Sequence, residues 1–278
     1  KSQAVAARSY AYYRLNKVIN DTTTYQFYDG TARLHLNSTA ATLETAGQII
    51  TYNGQVIDTL FSASNGGMTE NNYNEFGTPA LPYFPVQQDS YDTKIKWNPV
   101  IHKQQISTAS LDLQNPGTWW DKTYEADQEI SNNIKAWLNQ NGYSNKQIKI
   151  VNFPVLAFYD KTASGRVTRG DIQFRFYVKD KFDSTGNLQI QTISYTGVIA
   201  DKVRDILGRR VIKSTLISNM TQTSSAFTIS GSGYGHGVGM SQEGANNRAN
   251  AGFKYNSILA FYYPHTVVSK IYVLKASY

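Results

Sequence analysis

Residues 231–245 read GSGYGHGVGMSQEGA, and the reading of the chain turns on them. Glycine stands at every second position from Gly231 to Gly239, with His236 alone among them. Glycine at that density marks a backbone that must reach positive φ or admit a close neighbour. An imidazole in such a loop is placed by the backbone rather than by a packed face. Two readings follow: a built site, or a tight turn in which His236 is a hydrogen-bonding brace. The spacing disfavours nucleotide binding. A dinucleotide fingerprint needs G-x-G-x-x-G, and counting from Gly231 or Gly233 the last position falls on His236 or Val238. A phosphate-cradling loop needs a closing G-K-[ST], and no lysine is present here. Ser241 is placed to cap the helix that follows. Glu243 then falls in its first turn, where the helix dipole favours a carboxylate.

Composition narrows the function classes. The chain has 278 residues, a net charge of +7, 20 tyrosines and no cysteine. That length can bury a sizeable core. The lack of cysteine excludes a disulfide scaffold, a thiolate nucleophile and a thiolate metal site. The sequence holds no apolar run of membrane-spanning length and no signal peptide pattern. A basic, tyrosine-rich, cysteine-free chain suits an anionic extracellular polymer such as a bacterial wall. The basic residues are scattered and form no Arg/Lys block, which argues against nucleic acid.

Upstream, residues 1–19 predict a helix, with Ala4, Ala7 and Ala11 as a small-residue stripe for close packing. No capping signal precedes Lys1, so the chain is expected to be the remainder of a longer one. Residues 22–58 read as strands and turns. Within them, 49–57 form a hairpin around Asn53-Gly54. Residues 61–70 are a glycine-bearing turn and 78–85 an extended proline-rich segment. Further helices are predicted at 121–141, 201–207 and 257–263. Further strands are predicted at 148–159, 172–178, 188–195, 226–230 and 270–274. Irregular mixing of the two predicts an α+β fold with largely antiparallel sheets and a few packed helices. We read one domain over 1–278, with an α/β insertion or subdomain around 95–210.

Four ordered stretches resemble the SpoIID/LytB family: residues 3–16 (QAVAARSYAYYRLN), 53–71 (NGQVIDTLFSASNGGMTEN), 76–84 (FGTPALPYF), and 233–245 followed by 258–266 (ILAFYYPHT). Weaker matches lie at 164–167 and 197–214. The resemblance implies a SpoIID-like fold and two alternative activities. Enzyme members are lytic transglycosylases of peptidoglycan glycan strands. Others enhance an N-acetylmuramoyl-L-alanine amidase without cleaving glycan themselves. A structural wall or spore-coat domain is a third reading.

In the enzyme reading a single Glu protonates the glycosidic oxygen, its pKa raised by burial. The muramic 6-hydroxyl then attacks to leave a 1,6-anhydro end, so the usual second carboxylate is not needed. By the family pattern this glutamate lies three residues before Lys1, outside the chain, so no catalytic residue is assigned within it. Lys1, Ser2, Arg8 and Ser9 would share its helical face. Arg8 would orient the acid or a substrate carboxylate, or else brace the helix structurally. Glu70, in the G-G-x-T-E-N turn, is the best in-chain candidate for a role near the site, or a turn-stabilising acceptor. The supporting set is Arg8, Glu70, Tyr234, His236, Ser241 and Gln242, with Tyr83 beside Tyr234 as a sugar-facing aromatic. Glu75, Glu125 and Glu129 carry no motif.

Some members hold zinc through histidine and cysteine in the turn that here reads Ser62-Ala63-Ser64-Asn65-Gly66-Gly67. Serine and asparagine replace them and are poor zinc ligands, so no metal and no cofactor is expected. His35, His102 and His265 are read as surface or packing residues. The implied partners are peptidoglycan glycan strands and a wall amidase or another wall hydrolase. The implied location is extracellular or wall-associated, in a Gram-positive-type bacterium.

Overall fold

A computed structural model describes residues 1–20, 22, 25–26 and 35–271. In chain order the elements are α1 (Ser2–Tyr13), α2 (Leu36–Glu44), β1 (Gln48–Tyr52), β2 (Gln55–Val56), β3 (Phe61–Ser62), α3 (Asn72–Phe76), β4 (Lys96–Trp97) and β5 (Val100–His102). There follow α4 (Gln128–Gln140), the long strands β6 (Ile148–Lys161), β7 (Val167–Phe182) and β8 (Leu188–Ile199), and α5 (Ala200–Leu207). The chain continues through β9 (Ile217–Gln222), β10 (Ala226–Ser232), β11 (Met240–Ser241), α6 (Gln242–Asn250), α7 (Tyr255–Tyr262) and β12 (Val267–Lys270). This is a mixed α+β architecture. No helix of the described residues is long and apolar enough to cross a membrane. The chain forms two compact units, Lys1–Ile95 with Gly233–Tyr278, and Lys96–Ser232. The second unit thus runs beyond the 95–210 read for it, to the strand that leads into the glycine loop.

In the first unit β1 lies between β12 and β2, both antiparallel to it, with Ile50 opposite Val268. The β1–β2 turn places Asn53 at φ 50° and Gly54 at φ 78°. Two successive positive φ values make the mirror-image turn that Asn-Gly favours. The closing strand is β12; the expected strand at 270–274 falls mostly outside the described residues. Helix α1 packs on β1 through buried Val5, Ala6 and Ser9 rather than through the alanine stripe, whose Ala11 is exposed. Ser9 Oγ donates to the Val5 carbonyl at 2.7 Å and accepts from Ile50 N–H at 2.8 Å. It therefore satisfies a strand donor that the sheet leaves unpaired. Ile50, Val238, Met240, Ile258, Leu259 and Tyr262 complete that core. Burying each large apolar side chain contributes about 1.5–3 kcal/mol.

Two predictions for this unit need correcting. The first helix stops at Tyr13, not near residue 19: Arg14 leaves the helical conformation at φ −111°, and its side chain reaches Asp58. Residues 36–44 form a helix where strands and turns were expected. None of its residues is buried, so it carries no apolar stripe to betray it.

In the second unit β7 pairs antiparallel with β6 and β8. Ile172, Phe174 and Phe176, two residues apart, point to one face and are fully buried. Helix α4 covers that core through Ile130, Ile134 and Leu138, and α5 through Val203, Ile206 and Leu207. Helix α4 begins at Gln128, later than read. Short 3-10 turns at Pro116–Thr118 and Trp120–Lys122 precede it.

Candidate functional site

The glycine loop threads along the 60–70 segment. Strands β3 and β11 pair in parallel, with Met240 opposite Phe61 and Ser241 opposite Ser62. Tyr234 and Ser64 exchange backbone hydrogen bonds of 2.8 and 3.0 Å, and Glu70 N–H donates to the Gly237 carbonyl at 3.0 Å. Such close approach leaves no room for side chains. Gly239 sits at φ +71°, and a Cβ there would lie 2.1 Å from the Leu60 carbonyl oxygen. At Gly235, φ +112°, a Cβ would lie 2.7 Å from that of Ser62.

His236 braces this contact. Val238 N–H donates to its Nδ1 at 3.0 Å, which leaves the proton on Nε2 to donate to the Phe61 carbonyl at 3.1 Å. The ring edge meets Phe76, centroids 5.5 Å apart. With both nitrogens engaged, the imidazole holds the loop rather than serving as a base.

Beneath the loop lie two buried carboxylates. Asp92 accepts from Ser64 Oγ at 2.7 Å, from Asn65 N–H at 2.5 Å and from Ser241 Oγ at 2.5 Å. Asp89 accepts from Asn65 Nδ2 at 2.9 Å, Tyr262 OH at 2.5 Å and Arg248 Nη2 at 2.8 Å. Burial and the Asp89 partnership push the Tyr262 phenol far above its usual range. Asp89 is thus paired with the Arg248 guanidinium, while Asp92 is held by hydrogen-bond donors from Ser64, Asn65 and Ser241. The sequence reading missed this network. Its partners come from positions 64, 65, 241, 248 and 262, which only the tertiary fold brings together.

Above the loop opens a cleft of about 980 Å³, lined wholly by the first unit. Tyr10, Tyr13, Phe61, Phe76, Tyr83 and Tyr234 supply aromatic walls, and Gln3, Asn72 and Gln242 supply amides. Its described carboxylate, Asp58, is held by Arg14 through two contacts of 2.6 Å. Arg14 also stacks over the Tyr10 ring at 3.5 Å. Burial pushes the Tyr83 phenol up to about 12, with Tyr13 and Asp58 adding to the shift. The cleft thus presents phenols, amides and an ion pair.

The structure brings Tyr234, His236 and Gln242 to the cleft, together with Tyr83. Arg8 lies elsewhere. Its guanidinium donates to the carbonyls of Thr45 at 2.7 Å, Gln48 at 2.9 Å and Thr42 at 3.2 Å, tying α1 to the end of α2 and the start of β1. These contacts fit the helix brace; the acid it was read as orienting lies outside the described residues. Ser2 and Ser9, read as sharing the acid's face, are buried on the β1 side; the face of Gln3, Tyr10 and Arg14 turns to the cleft. Glu70 is buried within its turn, its Oε1 accepting from Asn71 N–H at 2.8 Å and Asn74 Nδ2 at 2.9 Å. Ser241 caps α6 by accepting from Gly244 N–H at 3.0 Å while it donates to Asp92. Asn65 spends its amide on Asp89 and on Gly67 N–H. His35, His102 and His265 are exposed. Sequence reasoning missed Gln3, Arg14, Asp58 and Ser62. All four lay in quoted motifs, Gln3 and Arg14 in residues 3–16 and Asp58 and Ser62 in residues 53–71, a signal that could have found them.

Residues 1–52 match the family model described as stage II sporulation protein. The chain is 37% identical over 270 residues to the amidase enhancer of Bacillus subtilis (strain 168), an alignment covering 97% of this chain and 37% of that protein. It is 29% identical to an uncharacterized protein of Brachyspira hyodysenteriae, across 95% of this chain and 59% of the relative. It is 24% identical to stage II sporulation protein D of Bacillus subtilis, across 97% of this chain and 68% of the relative. The chain therefore spans well under two thirds of the first two relatives. By these matches and by its ordered motifs, the chain belongs to the SpoIID/LytB family.

Proposed function

We propose that this chain binds peptidoglycan glycan strands in the cleft of its first unit and promotes the work of a wall amidase outside the cell. One observation carries the reading: the cleft combines aromatic side chains with amides and a net-neutral ion pair. Aromatic faces suit the apolar faces of sugar rings, and amides suit hydroxyls and N-acetyl groups. The amidase half of the proposal rests on the name of the relative at 37% identity. Among the described residues the cleft offers no free proton donor of carboxyl type, since Asp58 is engaged by Arg14.

Lytic transglycosylase cleavage is the second reading. It is favoured by residues 3–16, which resemble the helix that carries the acid in enzyme members. One experiment separates the two. Purified wall is incubated with the chain extended upstream of Lys1 to include the position of the family glutamate, with and without a wall amidase, and its products are analysed by mass spectrometry. The binding reading expects more free stem peptide with amidase and no anhydro-muropeptide from the chain alone. Release of 1,6-anhydro ends by the chain alone would replace it with the cleavage reading. Reducing ends would point to a hydrolase.

A further inference from the structure

Two buried polar atoms in the wall of the cleft have no hydrogen-bond partner among the described residues: the side-chain carbonyl Oε1 of Gln3 and the hydroxyl Oγ of Ser62. Unpaired buried polar atoms are rare in native proteins, because desolvation without a partner is unfavourable. The surroundings sharpen the point. Three serines line this part of the fold, and Ser64 and Ser241 both donate to Asp92. Ser62, only 7% exposed, instead lines the cleft. Its place is set by the parallel pairing with Ser241 and by Gly235, which has no side chain to cover it.

The chemistry of the pair is specific. A glutamine carbonyl only accepts, whereas a serine hydroxyl can donate. The same cleft lining includes apolar Leu60, Phe61 and Phe76. One acceptor and one donor in a lining that also holds apolar side chains complement a methyl-bearing secondary amide. Its N–H would donate to Gln3, its carbonyl would accept from Ser62, and its methyl would rest on the rings. We propose that Gln3 and Ser62 form an acetamide-reading subsite that selects N-acetylated over free amino sugars. A free amino sugar lacks both the carbonyl for Ser62 and the methyl for the apolar side chains. This proposal rests on the glycan-binding reading above and adds its specificity.

Calorimetric titration tests it with three probes: peptide-free wall glycan, tetra-N-acetylchitotetraose and its fully de-N-acetylated counterpart. Wild type should prefer the acetylated tetramer by about tenfold or more, as expected for one or two satisfied hydrogen bonds. Gln3→Ala and Ser62→Ala should each cut that preference to about threefold or less. Ser62→Ala should keep the wild-type melting temperature, because Oγ holds nothing among the described residues. Binding of wall glycan with equal affinity for the two tetramers overturns the subsite and leaves the glycan reading standing. So does an undiminished preference in both variants. Failure to bind wall glycan or either tetramer overturns both.

Discussion

His236 and Phe61, far apart in sequence, are joined ring to backbone: Nε2 lies 3.1 Å from the Phe61 carbonyl, while Nδ1 is taken by Val238 N–H. The imidazole therefore spans the glycine loop and the strand it runs beside. His236→Ala should lower unfolding free energy by about 1–3 kcal/mol, because it leaves a half-buried donor and acceptor without their partner. Urea unfolding measures this. A variant as stable as wild type would show that the bridge contributes nothing.

Gly239 and Gly54 separate two costs of adding a side chain. Both have positive φ, but a Cβ at Gly239 meets the Leu60 carbonyl while one at Gly54 meets open space. Gly54→Ala should cost about 1 kcal/mol from backbone strain alone. Gly239→Ala should cost more than about 3 kcal/mol, since the neighbouring backbone must also move. Thermal melts of the two would compare them, and equal losses would contradict the close threading of the loop.

Arg8 joins three carbonyls from the end of α2 and the start of β1. Arg8→Ala should destabilise the chain by about 1.5–3 kcal/mol, the range for hydrogen bonds from a charged group. Its affinity for wall glycan, measured below the melting transition, should stay within about twofold of wild type. A selective loss of glycan affinity in a fully stable variant would return Arg8 to the binding machinery.

Alkaline pH should weaken the fold through Tyr83. Burial pushes its phenol up to about 12. In the unfolded chain a tyrosine titrates near about 10. Above that value the unfolded state has lost a proton that the folded state keeps, so unfolding becomes easier as pH rises. The Tyr83 contribution is thus complete below about 10 and declines as pH climbs through the 10 to 12 window. Tyr83→Phe keeps the ring that meets Tyr52 and Phe84, and it should flatten part of this decline. An identical alkaline profile would contradict the burial effect.

The elements with local signatures were legible in the sequence. Asn53-Gly54 specifies its hairpin through two positive φ values, and Ser241 announces the start of α6 through its capping oxygen. Helix α2 was not legible. It buries none of its residues, and its end is held by Arg8 from a distant helix. The site divides the same way. Glycine spacing marked the loop of Tyr234 and His236 as backbone-determined, because alternate positive φ is a property of the residues themselves. The segment beside it was invisible: Ser62 becomes part of the cleft only through pairing with Ser241, and Asp58 only through Arg14. Those relations join segments from 44 to 179 positions apart, and no local pattern encodes them.

Glycan binding through the cleft is most directly tested by co-sedimentation with purified, peptide-free wall glycan, comparing wild type with Tyr234→Ala. The Tyr234 side chain lines the cleft, while its hydrogen bonds to Ser64 run through the backbone and survive the substitution. The account predicts saturable binding by wild type and a loss of about tenfold in the variant, the size seen when one aromatic stacking contact is removed. No saturable binding by wild type, or equal binding by the two proteins, would contradict it.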